Sequence, residues 1–254
     1  ALEDQVTVTP RPTPAPLVPE NYKITVPESK NPVKVNYFNG NSSVSTALFE
    51  DGTVVAYGQG VLYKDGSVIE YHGTEIKKLI VNEGVTGIGG SLCYNLPYLK
   101  SVFLPESVTK IGTGCFAECT SLQEVTLPSN LQTIESYTFE NCYSLQKVTM
   151  PSNLNLISDG TFENCKNLKE ILLPDTLSSI GENAFKGCSV LKAINIPGNV
   201  KEIGDSAFEE CVSLDEITIP HSIVLGKGVF CSCTALKTVI FVADPELSKI
   251  PNYA

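Results

Sequence analysis

The chain has 254 residues, 42% of them apolar, and a formal net charge of −10. This length supports a substantial core, in one large domain or two small ones. The acidic balance, with Arg11 as the only arginine, argues against nucleic-acid binding, because phosphate contacts usually need a basic surface. No apolar run approaches the roughly 18 residues of a membrane span, so no insertion into a bilayer is expected.

Residues 1–22 are predicted to form a Pro/Thr-rich linker. Proline alternates with threonine, arginine and alanine in TVTPRPTPAPLVPE, residues 7–20. Such a segment cannot bury a core and favours extended, semi-rigid conformations. Because the chain starts at Ala1 rather than methionine, we expect that a leader has been removed. A tether on an exported protein is one interpretation, and an ordinary flexible terminus is the other.

Residues 23–75 are predicted to form a β-hairpin cap. Two apolar runs, residues 47–58 and 61–73, are each interrupted by Asp-Gly. Asp-Gly between β-forming residues is a strong hairpin signal, because both turn positions favour positive φ. The resulting meander is expected to cover the first coil of the repeats that follow, and residues 23–38 are expected to add strands.

Residues 76–254 are predicted to form a solenoid with an irregular C-terminal end. The period is 23 residues, and it holds without a gap for six copies from Ile76. A copy one residue shorter begins at Leu214 and a truncated copy at Leu236. A fixed period between about 20 and 50 residues indicates stacked units that share one core.

Each copy follows Leu-x-x-Val-x-Leu-Pro-x-Asn-Leu-x-x-Ile-Gly-x-x-x-Phe-x-x-Cys, counted from its first leucine as position 1. Alternation in the first six positions predicts a short strand with one buried face, and proline at position 7 ends it. Asparagine at position 9 is predicted to bond the backbone of a turn. The phenylalanines at position 18 are expected to stack as one buried column.

This pattern resembles the BspA-type leucine-rich repeats in surface proteins of many anaerobic bacteria. GENAFKGC at residues 181–188 and GDSAFEEC at residues 204–211 match it best, and the resemblance covers about residues 76–241. It implies an α/β leucine-rich-repeat right-handed solenoid, β-rich with little regular helix, whose parallel sheet lies on the concave face. It also implies adhesion at an extracellular location, on the cell surface or secreted. The family motif contains no catalytic residue, so we expect neither a catalytic site nor a cofactor.

Six cysteines share position 21, and we interpret them as core residues: Cys119, Cys142, Cys165, Cys188, Cys211 and Cys233. Metal binding is disfavoured, because a structural zinc site needs about four ligands around one point. Disulfides between adjacent coils are the geometrically allowed alternative. The only histidines, His72 and His221, lie in no catalytic motif and are expected to be exposed. Glutamates near the phenylalanines are interpreted as a solvated outer face.

The inner sheet face, at positions 2, 3 and 5, is predicted to bind a partner. Positions 2 and 3 hold seven lysines against four acidic residues, so this face is expected to be mildly basic on an acidic chain. Phe103 and Leu172 are expected to be exposed apolar groups at position 5. The candidate ligand-binding residues are Lys100, Phe103, Gln123, Thr126, Gln146, Lys147, Thr149, Lys169, Leu172, Lys192 and Asn195.

We therefore hypothesise a non-catalytic, monomeric, extracellular interaction scaffold, in particular a bacterial cell-surface adhesin. Its expected partner is a host or microbial surface protein, or an acidic glycan. The second hypothesis is a polysaccharide-binding or accessory module of a larger secreted enzyme. The lysines have an alternative explanation as well, in solubility and protection of strand edges.

Overall fold

The structure is a computed structural model that describes residues 32, 34–36, 43–64, 67, 69–70 and 76–242. The predicted Pro/Thr-rich linker and the irregular end beyond residue 242 lie outside these residues. The division of the chain at residues 22 and 75 stays a prediction.

Three strands precede the repeats: β1 (Lys34–Asn36), β2 (Ser43–Leu48) and β3 (Thr53–Leu62). Strands β1 and β2 pair antiparallel, as do β2 and β3. The turn between β2 and β3 contains Asp51 and Gly52, whose φ is 82°. Asp51 Oδ1 accepts a hydrogen bond of 2.9 Å from the backbone N–H of Thr53. The predicted N-terminal β-hairpin cap is thus confirmed at this turn.

The second predicted Asp-Gly hairpin, at residues 61–73, is wrong. Val61 and Leu62 continue β3 and pair in parallel with the first coil, while Ile69 and Glu70 are helical. The Asp-Gly itself lies outside the described residues. Pairing with the coil satisfies the backbone groups of Val61 and Leu62, so the local turn signal does not decide their conformation.

From residue 76 onward, each complete coil contributes two short strands, and the last coil contributes one. In chain order they are β4 (Lys78–Val81), β5 (Val85–Ile88), β6 (Ser101–Phe103), β7 (Lys110–Ile111), β8 (Glu124–Thr126), β9 (Thr133–Ile134), β10 (Lys147–Thr149), β11 (Leu156–Ile157), β12 (Glu170–Ile171), β13 (Ser179–Ile180), β14 (Ala193–Asn195), β15 (Glu202–Ile203), β16 (Glu216–Pro220), β17 (Val224–Leu225) and β18 (Thr238–Val242).

The even-numbered strands from β4 onward form the main sheet, and the odd-numbered strands from β5 onward form a second ladder. All of these pairs are parallel. Hydrogen-bonded pairing is continuous from β4 to β12 and from β14 to β18 in the main sheet, and from β5 to β9 and β11 to β17 in the second ladder. Strand β3 pairs with both β4 and β5, so it joins the hairpin cap to both ladders. The predicted parallel-strand solenoid with little helix is confirmed.

A stacked column of phenylalanine rings fills the interior. Neighbouring ring centroids are 5.3–5.9 Å apart, and their planes differ by 2–19°. The column contains Phe116, Phe139, Phe162, Phe185, Phe208 and Phe230. Each coil buries its apolar side against its neighbours, which explains why the repeat needs several copies.

The position-21 cysteines form a second interior column. Each of their thiols donates to a backbone carbonyl of the preceding coil, for example Cys142 Sγ to Phe116 O at 3.1 Å and Cys188 Sγ to Phe162 O at 3.3 Å. All nine cysteines of the chain are free thiols. Burial raises the pKa of the Cys142, Cys165 and Cys188 thiols well above their ordinary value. The interpretation of this column as core packing is confirmed.

Position 9 forms a polar column in the turns that follow the main-sheet strands from β6 to β16. Asn130 Nδ2 donates to Glu106 O at 3.1 Å, and Asn199 Nδ2 donates to Asp175 O at 2.7 Å. Ser107 Oγ donates in the same way to Val85 O at 2.8 Å. The predicted bond to a turn is therefore present, and the turn belongs to the preceding coil.

Candidate interaction surface on the main sheet

All eleven predicted ligand-binding residues lie exposed on one face of the main sheet. We define the sheet face as positions 2, 3 and 5 of the coils between Leu99 and Ile219. Position 4 between them points inward, where its side chains are buried in the core: Val102, Val125, Val148, Ile171, Ile194 and Ile217. Alternation along each strand therefore separates the core from the sheet face. Ligand binding by these residues stays a prediction.

The apolar members of the sheet face occupy position 5. The Phe103 side chain is 43% exposed, and Leu172 is 85% exposed. Lys78 Nζ lies 4.8 Å from the centroid of the Phe103 ring, within cation–π distance. Leu172 stands between two shallow depressions, of about 360 Å³ towards β10 and about 420 Å³ towards β14. Both residues therefore present apolar surface to solvent, as predicted.

A further depression brings four of the predicted residues together. It has a volume of about 300 Å³ and is lined by Phe103, Thr126, Lys147 and Thr149, with Glu124 beside them. Thr126 and Thr149 lie directly opposite each other on β8 and β10. The depression thus offers an aromatic ring, two hydroxyl groups and charges of both signs within one small area.

The charges on this sheet side divide into two columns. Position 3 alternates in sign across three adjacent strands, because Lys147 lies opposite both Glu124 and Glu170. Position 2 is the basic column, and its exposed lysines are Lys77, Lys100, Lys169, Lys192 and Lys237. Within the described part of the chain, none of these five lysines forms an ion pair. The expected basic character therefore comes chiefly from position 2.

The hairpin cap limits the apolar column at its N-terminal end. Ile80 occupies position 5 of the first coil but is only 1% exposed. It is buried in a small second cluster with Ala47, Phe49 and Val55 of the hairpin. The exposed column therefore begins at Phe103, one coil later.

The sequence interpretation missed one apolar member at the other end. Ile240 on β18 occupies position 5 of the last coil and is 40% exposed. Phe103, Leu172 and Ile240 thus recur at every third coil. Because parallel strands are about 4.8 Å apart, these groups are separated by roughly 14 Å. The repeat position itself was the signal that would have identified Ile240.

The glutamates near the phenylalanine column are less solvated than expected. Glu118, Glu140, Glu163 and Glu209 are half-buried, whereas Glu210 is exposed. Burial raises the pKa of the Glu163 carboxyl, and the neighbouring Glu140 raises it further. For Glu209, hydrogen bonds from Ser206 and from Lys186 lower the pKa. The prediction of a solvated outer face is therefore only partly correct, because stacking places the acidic side chains of one coil against those of the next.

Within residues 32–242, apart from the gaps named above, no group of three or more His, Cys, Asp or Glu side chains is placed to hold a metal ion. His221 is exposed, as predicted, while His72 lies outside the described residues. The same part of the chain contains no helix long and apolar enough to cross a membrane.

Comparison with known proteins identifies the repeat. The profile described as BspA type Leucine rich repeat region matches in six copies, over residues 70–169 and 155–254. A search of curated proteins gives no match. Among solved structures, the leucine-rich repeat protein TpLRR of T. pallidum is 27% identical, with a TM-score of 0.62 over 76% of this chain and 87% of its own.

Two other solved structures are more distant. A leucine-rich repeat protein from Bacteroides ovatus is 20% identical, with a TM-score of 0.48 over 87% of this chain and 72% of its own. A leucine rich cell surface protein from Faecalibacterium prausnitzii is 19% identical, with a TM-score of 0.31 over 82% of this chain and 95% of its own. The matched repeats cover more than half of the sequence, and the chain belongs to the BspA-type leucine-rich repeat family.

Proposed function

We propose that this chain is a non-catalytic interaction scaffold, a bacterial cell-surface adhesin that binds a surface protein through the sheet face. The observation that carries the proposal is the contrast between position 4, buried in every coil from Leu99 to Ile219, and the eleven exposed residues around it. A long, regular surface of this kind is what solenoid proteins use for binding. The partner is a host matrix protein or a protein of another microbial surface, and the chain acts as a monomer outside the cell.

The chemistry of the sheet face supports a protein partner over a small substrate. Its depressions are shallow, and Phe103 and Leu172 offer separate apolar contacts on it. Interfaces usually derive most of their binding free energy from a few aromatic and apolar anchors surrounded by polar groups. The exposed position-2 lysines add attraction for an acidic partner, which increases the association rate at low salt.

The proposal is tested by screening the purified chain for binding to extracellular matrix proteins and glycans in an immobilised panel. For any protein that binds, the double variant Phe103→Ala/Lys147→Glu should weaken binding at least about tenfold, since it removes an anchor and reverses a charge. The matched control is Val224→Ala/Lys227→Glu, which makes the same kinds of change at exposed residues outside the sheet face.

Binding that survives the sheet-face variant, or that both variants weaken equally, would contradict the proposed site. Binding to polysaccharides but to no protein would instead favour an accessory module of a secreted enzyme. Sedimentation velocity at working concentration tests whether the chain is monomeric.

A further inference from the structure

Position 8 of the repeat carries a polar or charged side chain in every described coil but one. In every complete coil after the first, this position follows the proline at position 7, and it lies in the turn at the edge of the main sheet. Its occupants with side chains are Glu83, Glu106, Ser129, Ser152, Asp175 and His221. Gly198 stands at this position in the coil between Asp175 and His221.

The fold does not require glycine at position 198. A Cβ atom built there would meet no heavy atom within 4 Å, and the backbone is not in the left-handed region. Gly204 in the same coil is different, since a Cβ atom there would lie 2.6 Å from the backbone nitrogen of Glu182. Packing therefore explains Gly204 but leaves Gly198 unexplained.

The missing side chain at Gly198 opens a depression of about 370 Å³. Asp175 and His221 line it from the two neighbouring coils, and their Cα atoms are expected to be roughly 10 Å apart from the coil spacing. Pro197 and Pro220, both buried, form apolar parts of the lining. Ligand pockets in proteins begin at about 300 Å³, so the space is large enough for one small ring-shaped ligand.

The polar groups around this depression include one negative and one positive charge, and both hydrogen-bond donors and acceptors. The Asp175 carboxylate accepts hydrogen bonds, and the Lys201 ammonium donates them. The Asn195 amide and the Thr218 hydroxyl each do both. A ligand with a single strong charge would face one partner of the same sign. A neutral ligand with several adjacent hydroxyl groups would satisfy all of these groups at once.

We propose that this depression, the Gly198 pocket, binds a neutral sugar unit of a glycan. The sugar hydroxyls bond to Asp175, Lys201 and Asn195, while the C–H groups of the ring contact Pro197 and Pro220. His221 lies on the opposite side from Asp175 and contributes a further donor or acceptor. The pocket shares Asn195 and Thr218 with the sheet face, whereas Asp175, Gly198 and His221 lie outside it. Substitutions at Asp175 and Gly198 therefore test the pocket separately from the proposed adhesin function.

The test is saturation-transfer NMR of the full chain with the methyl glycosides of glucose, galactose, mannose and N-acetylglucosamine. At least one glycoside is expected to receive saturation. Gly198→Gln should reduce its affinity at least about tenfold by filling the pocket, and the melting temperature should not fall because the new Cβ meets no atom. Asp175→Asn should also weaken binding about tenfold, because a hydrogen bond to a charged group is lost.

Ser152→Gln is the matched control, because it places the same side chain at position 8 two coils away and should leave glycoside binding unchanged. Phe103→Ala/Lys147→Glu should leave it unchanged as well, which separates this pocket from the part of the sheet face around Phe103. The inference is overturned if no glycoside receives saturation, or if Gly198→Gln binds as well as Ser152→Gln. Saturation of free amino acids but of no glycoside would equally overturn the assignment to sugars.

Discussion

Phe162 and Leu172 are ten residues apart in the sequence, but one is buried and the other is exposed in the solenoid. Phe162 is fully buried and stacks on Phe139 and Phe185, each of which is also a phenylalanine. Leu172 is 85% exposed, and the same position in neighbouring coils holds Thr149 and Asn195. The phenylalanine column repeats its residue because each ring stacks on a copy of itself. The exposed sheet face is not held to one residue in this way, and its residues differ from coil to coil.

The largest expected effect is on the free energy of unfolding when the buried residue Phe162 is substituted. Phe162→Ala should reduce the free energy of unfolding by about 3–5 kcal/mol, because it removes a buried ring and leaves a cavity in the column. Leu172→Ala should change it by no more than about 0.5 kcal/mol, because the side chain is almost fully exposed. Urea unfolding followed by circular dichroism measures both. Similar losses in the two variants would show that the columns are not distinct.

The two glycines of one coil give the next contrast. Gly204→Ala should reduce the free energy of unfolding by about 1–3 kcal/mol, because the added methyl group lies against the backbone of the preceding coil. Gly198→Ala should be neutral, or stabilising by up to about 1 kcal/mol, because the unfolded chain loses freedom and the folded chain has room. Thermal melts of the paired variants decide between these outcomes. A destabilised Gly198→Ala would mean that the turn itself needs glycine.

The cysteines extend the comparison to reactivity. Iodoacetamide should modify Cys231 in the folded protein, because this residue is exposed, but should leave Cys165 unmodified. Burial keeps Cys165 from the reagent and raises its pKa, so the reactive thiolate is scarce. Peptide mass spectrometry before and after unfolding in urea measures the difference. Rapid modification of Cys165 in the folded state would contradict the assigned interior column.

The same substitution at two nearby glutamates should have opposite pH-dependent effects. The pKa of Glu163 is raised in the folded state, so its charged carboxylate destabilises the fold when the pH exceeds that pKa. Glu163→Gln should therefore be stabilising at pH 7. A lowered pKa means that Glu209 contributes stability above its unfolded pKa and loses it as the pH falls. Glu209→Gln should therefore be destabilising at pH 7.

Each of these two effects should stay below about 0.5 kcal/mol, because solvent screens both groups. Both should largely disappear near pH 3, where the carboxyls are protonated in the folded and unfolded chain alike. Unfolding curves at pH 3 and pH 7 measure them. Shifts of the same sign at pH 7 would show that the assigned partners of one carboxyl are wrong.

The interior was predictable from the sequence because its residues recur. The phenylalanine and cysteine columns, the position-9 side-chain bonds and the exposed position-5 residues all follow from one alignment of the coils. The hairpin at Asp51 and Gly52 was predictable from local turn chemistry. The half-buried state of Glu140 and Glu163 was not, because a side chain at the coil surface is covered only by the coil beside it.

The repeat period by itself determined which side chains enter the core, because each coil packs on a near copy of itself. Only the tertiary structure decided the conformation of the N-terminal end of the solenoid and the surroundings of residues that depart from the repeat. Strand β3 pairs with two ladders rather than forming a second hairpin, and Ile80 is buried by the hairpin rather than joining the exposed column. The depression at Gly198 likewise depends on Asp175 and His221 in the neighbouring coils. These features depend on contacts between residues that are not copies of one another. A repeated sequence pattern predicts only the contacts between such copies.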